Sequence, residues 1–313
     1  MIDLIVETLD DTVSTMTTVF VMLFITGMMT EMGLFQRLSY LSRPLVSLSH
    51  LPSAAASTFM VSFGSTIAAN TMIARLKEEG HLSDRQVFFS AIMNGVPVYF
   101  RELFTYQLAF VVPILGICVG GIYAAVSISA GIIRLILVMI LGRAYLKVDE
   151  ESSPQMAESP EGRNLRDAAL RSLLGQKQIF FRMTALYFIM TLLVLYLNNE
   201  GLFQSLDVLP IAHFFGVPPV TVIPITIYVA SPKAGMTLLG PMIQNGNISE
   251  VQALIVLMLG SMFMLPVYAI KSLMPNYTSV FGMRLGLSLV VVSTGINVLV
   301  RLLVLILLLM ATG

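Results

Sequence analysis

Residues 103–146 read LFTYQLAFVVPILGICVGGIYAAVSISAGIIRLILVMILGRAYL, forty-four residues in which Arg134 and Arg143 are the only charged side chains. A spanning helix needs about 20 mostly apolar residues, because about 30 Å of hydrocarbon is crossed at 1.5 Å per residue with every backbone group bonded internally. The segment therefore holds two spans, over 103–126 and 128–146. The same character runs outward in both directions. Further apolar stretches cover 13–35, 53–76 and 86–100, then 178–197, 219–242, 250–270, 277–292 and 294–311. A 313-residue chain that is 56% hydrophobic, 12% charged and has a mean hydropathy of +0.85 cannot bury so much apolar surface in water. The expected fold is an all-α, multi-pass integral membrane protein of the cell membrane (prokaryotic type), with about ten transmembrane helices and the lipid bilayer as its solvent.

Composition excludes several function classes. The formal charge is zero and no lysine or arginine stripe is present, so nucleic acid is not an expected partner. Cys118 is the one cysteine, which leaves no disulfide framework or Cys-x-x-Cys motif. His50, His81 and His213 sit in connecting segments without metal-ligand spacing, so no metal is expected. No Gly-x-x-x-x-Gly-Lys-Ser/Thr loop and no Gly-x-Ser-x-Gly elbow occurs, which predicts neither a bound nucleotide cofactor nor an enzyme. The acidic N-terminus, with Asp3, Glu7, Asp10 and Asp11, lacks the basic start of a signal peptide. Trp is absent, and the 21 methionines suit gaps between helices.

The stretches fall into five plus five, separated by a charged segment with Pro154 and Pro160. This divides the chain into a first repeat over 1–147, a cytoplasmic linker over 148–177 and a second repeat over 178–313. Leu165, Ala169, Leu170, Leu173 and Leu174 share one helical face, which predicts an interfacial helix at the end of the linker. Matching runs occur in the same order in both halves. Gly33-Leu34-Phe35-Gln36 recurs as Gly201-Leu202-Phe203-Gln204, and Leu82-Ser83-Asp84 with Gln86 recurs as Ile248-Ser249-Glu250 with Gln252. Pro97-Val98-Tyr99 recurs as Pro266-Val267-Tyr268, and Ser129-Ala130-Gly131-Ile132 as Ser293-Thr294-Gly295-Ile296. An odd number of spans per half inverts one half relative to the other, so two inverted five-helix repeats are expected. A re-entrant second stretch would change that count. The basic linker places itself in the cytoplasm and both termini outside. Arg75, Lys77 and Arg85 then fall in an external loop, against the usual bias.

Two constellations stand out. Gly64, Ser65, Thr66 and Asn70 interrupt the second stretch of the first half, and Ser231, Pro232 and Lys233 interrupt the matching stretch of the second. Broken helices at corresponding places expose backbone groups and half-helix ends that hold solutes or ions. Alternatively, these hydroxyls bond back to their own helices. After the Pro-Val-Tyr runs, Arg101 and Glu102 face Lys271, with Glu102 and Lys271 read as equivalent positions. Such groups pair, line a water-filled cavity or carry protons, or else snorkel from span ends. Asn94 joins the candidate substrate-binding set. Glu31, Arg134, Arg284, Asn297 and Arg301 read as helix-pairing or interfacial residues.

The runs Glu31-Met32-Gly33-Leu34-Phe35, Leu51-Pro52, Phe63-Gly64-Ser65, Ala74-Arg75-Leu76, Asp84-Arg85 and Pro97-Val98-Tyr99 resemble the membrane domain of the ferrous iron transporter FeoB. Leu265-Pro266-Val267-Tyr268 repeats the last of these. The resemblance covers roughly 31–110 and 219–275 and implies the Gate, or nucleoside-recognition, superfamily. It carries the permeation site onto Gly64, Ser65, Thr66 and Asn70. Ser65 stands where that pattern has cysteine, and the GTPase domain is missing, so a transition-metal substrate does not carry over. The expectation is a transporter of a small polar or anionic solute or ion, with a homodimer compatible with the scaffold. The alternative is a non-transporting receptor or complex subunit that binds a ligand or partner protein.

Overall fold

The computed structural model describes residues 2–32, 42–146, 165–199 and 215–312, and among these the chain is helical with no strand. The elements are α1 (Ile2–Glu31), α2 (Ser42–Leu48), α3 (Ser53–Ser62), α4 (Thr66–Glu78), α5 (Asp84–Leu115), α6 (Ile117–Tyr145), α7 (Leu165–Asn199), α8 (Val222–Ala230), α9 (Pro232–Gln244), α10 (Glu250–Phe281) and α11 (Met283–Thr312). Five segments among the described residues are long and apolar enough to cross a bilayer: Thr8–Ile25 within α1, then α5, α6, α10 and α11.

The stretches expected at 86–100, 103–126 and 128–146 are two helices rather than three, and so are those at 250–270, 277–292 and 294–311. The reason lies at Gly116 and Gly282. Each takes a left-handed φ, 83° and 78°, with ψ near 166° and 168°, which L side chains rarely adopt. One residue therefore turns the chain back. Four positions later the returning helix has a second glycine. A Cβ on Gly120 would lie 2.7 Å from the Val112 Cα, and one on Gly286 would lie 2.7 Å from the Thr278 Cα. These turns, the first without a charged residue and the second with only Arg284, are thus fixed by glycine pairs at a spacing of four.

The amphipathic segment expected before residue 178 is the first part of a longer helix. Leu165–Asn199 is one continuous 35-residue helix, and Ala168 and Ser172 on its amphipathic part are buried. The Ser172 hydroxyl donates to the Phe24 carbonyl of α1 at 3.0 Å, whereas Leu170, Leu173 and Leu174 of the expected apolar face are exposed. The linker before residue 165 and the Gly33 and Gly201 runs lie outside the described residues.

The two halves share one register. The capping boxes Ser83/Gln86 and Ser249/Gln252, the turn glycines Gly80 and Gly246, the corners Gly116 and Gly282 and the breaks Ser65 and Ser231 are each 166 positions apart. Helices α5 and α10 are both 32 residues long, with no room for an insertion between box and corner. The Pro-Val-Tyr match, at 169, is therefore three residues out of register. Glu102 corresponds to Tyr268, and Lys271 to Thr105, so the expected equivalence of Glu102 and Lys271 fails. Ser293 corresponds likewise to Ser127.

Gly120→Val and Gly286→Val should each lower the melting temperature, since overpacking at a backbone contact costs roughly 1–3 kcal/mol. Gly121→Ala, which meets nothing within 4 Å, should leave it unchanged.

Candidate functional site

Ser65 and Ser231 each interrupt a helical pair with one extended residue, at φ −149°, ψ 112° and φ −151°, ψ 102°. The local causes differ. Gly64 loosens the end of α3, whereas Pro232 forbids helical geometry at the residue before it and then sits well at the first position of α9. In both, the serine hydroxyl caps the new helix, accepting from Ala68 N at 3.2 Å and from Ala234 N at 3.4 Å. The capping answers one of the free N–H groups that every helix start exposes.

Both pairs fold back on themselves. A Cβ on Gly235 would lie 2.6 Å from the Tyr228 Cα, so α8 and α9 touch backbone to backbone within a few residues of the break. In the first half, Thr58 on α3 and Asn70 on α4 both reach Asn94, at 3.5 and 3.4 Å. The arms have 10 and 13 residues in one hairpin and 9 and 13 in the other, about 14–20 Å each, close to half a hydrocarbon thickness. The second stretch of each half is therefore a helical hairpin with its serine at the tip, Ser65 exposed and Ser231 half-buried.

Each hairpin is held by the long helix of its own half and by that of the other. Asn94 on α5 binds the first hairpin, and Gly260 on α10 packs against the Tyr228 ring of the second. Across the halves, Tyr277 on α10 reaches Asn70, while Tyr106 on α5 donates to the Met236 sulfur at 3.4 Å. Tyr123 and Tyr228 add a buried hydroxyl pair at 2.6 Å between α6 and α8.

The long helices widen beside the tips. Leu103–Val111 in α5 and Ala269–Leu273 in α10 are π-helical, and both begin at the same repeat position. A proline follows two residues after each, Pro113 and Pro275, and an extra residue per turn relieves the clash of its ring with the preceding turn. The segment from Arg101 to Phe110 reaches both tips. The Arg101 guanidinium donates to the Gly64 carbonyl at 2.9 Å, and the Lys233 ammonium lies 6.0 and 5.8 Å from the Tyr106 and Phe110 rings.

The expected site residues are thus partly brought together. Gly64, Ser65 and Arg101 form one tip, Ser231 and Lys233 the other, and Asn70 and Asn94 meet behind the first. Thr66 carries a buried hydroxyl oxygen with no partner among the described residues. Glu102 and Lys271 are exposed on their helices, and Lys271 makes no ion pair with Glu102. No group of three or more metal-ligating side chains occurs among the described residues. Sequence reading gave too little weight to a buried row at the crossing of α6 and α11. Tyr99 and Asn297 bond each other at 2.7–3.0 Å, Arg134 lies over the Tyr99 ring, and Arg301 bonds Asn297 and Ser261. The available signal was depth, since Arg134 and Arg301 stand near the middle of 29- and 30-residue apolar helices.

No protein-family model matches this chain, and no solved structure matches it. It is similar to the uncharacterized proteins MJ0880 and MJ0871 of Methanocaldococcus jannaschii. It is 24% identical to the first over 292 residues, 91% of this chain and 92% of that one, and 27% identical to the second over 280 residues, 88% and 86% of the two chains. The uncharacterized protein MJ1556 of the same organism is 22% identical over 282 residues. Each match runs along nearly the whole of both chains.

Proposed function

We propose that this chain transports a small polar or anionic solute by alternating access between two inverted repeats. The observation that carries the reading is the pair of serine-capped hairpin tips, 166 positions apart, each wedged between long helices of both halves. If each hairpin re-enters, every half crosses three times, through α1, α5 and α6 and then α7, α10 and α11. Three is odd, so the second half inverts.

Charge supports that path. With three crossings, the loop bearing Arg75, Lys77 and Arg85 moves to the linker side, together with Arg143, Arg166, Arg171, Lys177 and Arg284. The matching turn of the second half, 245–249, has no lysine or arginine and falls opposite. The positive-inside bias then has no exception, and the conflict over an external basic loop disappears. At mid-depth, Arg101, Arg134, Lys233, Lys271 and Arg301 outnumber Glu102, while Asp10, Asp11, Asp84 and Glu250 lie towards the ends of their helices. Excess positive charge in a low dielectric favours an anionic or strongly polar solute.

In this reading the tips of the two hairpins bound the solute from opposite sides. Helix starts at Ser65 and Ser231 present N–H groups and the positive end of the helix dipole to it. Movement of one hairpin and its supporting helix against the other opens one water path while the other stays closed.

Two measurements test it. In a Cys118→Ser background, Glu78→Cys and Gln244→Cys occupy equivalent exposed helix ends and should react with an impermeant maleimide from opposite sides of the membrane; same-side labelling removes the inversion. In proteoliposomes, Ser65→Ala with Ser231→Ala, or Lys233→Ala alone, should lower uptake at least tenfold without loss of folded protein. Undiminished uptake by both variants removes the tips from the site, and no uptake of any anion by folded wild type favours a receptor or complex subunit.

A further inference from the structure

Arginine stays charged under all ordinary conditions, so it cannot escape burial by losing its proton. Arg134 and Arg301 are only 5% and 7% exposed, in the interior of apolar helices. Among the described residues neither forms an ion pair. The three pairs there, Arg75–Glu79, Lys77–Asp84 and His81–Glu79, all lie around the 79–84 turn. What the two guanidiniums do touch is neutral. Arg134 donates to the Ser293 carbonyl at 3.2 Å, and Arg301 to the Asn297 carbonyl at 3.1 Å and the Ser261 hydroxyl at 3.0 Å. Those two carbonyls are one turn apart on α11, about 6 Å along its axis.

The donors are also incompletely used. Arg134 Nε is buried and has no hydrogen-bond partner, and neither does the buried Thr294 hydroxyl. Thr294 lies seven residues before Arg301, on the same face of α11. Glu102 lies within electrostatic reach of Arg301, and it already faces Arg101. It makes no ion pair with Arg301 and cannot balance Arg134 as well. Several kcal/mol of desolvation per buried ion would be uncompensated in such an arrangement.

We infer that Arg134 and Arg301, with the unpartnered donors beside them, form a binding site for a small oxyanion such as phosphate, sulfate or a carboxylate. Planar forks of N–H groups suit oxygen-rich anions, and the Tyr99–Asn297 pair between them supplies a fixed neutral floor. This narrows the solute class of the proposed transporter, yet binding here does not require transport.

The test is the melting temperature of detergent-purified protein in an oxyanion-free chloride-salt and amine buffer, titrated separately with sodium phosphate, sodium sulfate, sodium acetate and phosphatidylglycerol in mixed micelles. At about 100 times its dissociation constant, a free oxyanion should raise the midpoint by about 5 °C. Arg134→Met should melt at or above wild type without ligand, because an unpaired buried charge has been removed, and should lose the shift. Arg301→Lys, which keeps the charge but not the fork, should weaken the response at least tenfold. No shift with any free anion, a shift with phosphatidylglycerol alone, or a full shift in Arg134→Met overturns the site. Loss of stability in anion-free Arg134→Met overturns it too, since that is the mark of a structural arginine. Binding without proteoliposome uptake would leave this site standing and remove the transporter reading, whereas uptake insensitive to Arg134 and Arg301 would do the reverse.

Discussion

A bilayer interior offers no water to a broken helix, and this constraint organises the whole molecule. Each unsatisfied backbone group in hydrocarbon costs several kcal/mol, so a helix can stop at mid-depth only where protein supplies the missing partners. Ser65 and Ser231 do part of that with their own hydroxyls. The rest falls to the long helices, whose Arg101, Tyr106 and Tyr277 side chains reach the two hairpins from both halves. The π-helical turns, the glycine corners and the cross-packed tyrosines are the means by which straight rods are brought close enough to hold two short hairpins.

Much of this was legible beforehand, and the failures are instructive. Apolar content identified a helical membrane protein, and Gly64-Ser65 and Ser231-Pro232 announced the two breaks because glycine, serine and proline disturb a helix wherever they occur. Ser83 and Ser249 with their glutamines, legible only as a match between the halves, cap the starts of α5 and α10. Hydropathy failed where a boundary carries no polar signature. The corner at Gly116 lies in unbroken apolar sequence and that at Gly282 is followed by a single charge, Arg284, so the spacing to Gly120 and Gly286 is the common mark of both. The identical tripeptides at 97 and 266 attracted an alignment that the equal lengths of α5 and α10 contradict. Three identical letters weigh less than a helix's fixed rise per residue.

The polar interior was legible only in outline. Arg134, Asn297 and Arg301 were visible as polar letters in apolar runs, but sequence alone does not say whether such a group snorkels or stays. Its distance from both ends of a long helix decides that, and the helix ends were the part misread. Once α6 and α11 are known to run unbroken over 29 and 30 residues, neither arginine can reach an aqueous phase by extending its side chain. The buried pair then becomes the feature that asks for a counter-charge.

The two hairpins share a backbone design but are fastened by different chemistry. The first is held to α5 by amide groups, Asn70 with Asn94, whereas the second is locked to α10 by an aromatic ring seated on glycine, Tyr228 against Gly235 and Gly260. An amide contact can be exchanged for contact with a water molecule at little net cost, while a ring lifted off a glycine leaves an apolar void with nothing to fill it. Hydration therefore discriminates between them: the first hairpin can be wetted and parted from its helix, and the second resists wetting. A duplicated scaffold has in this way become one hydratable seam and one dry one.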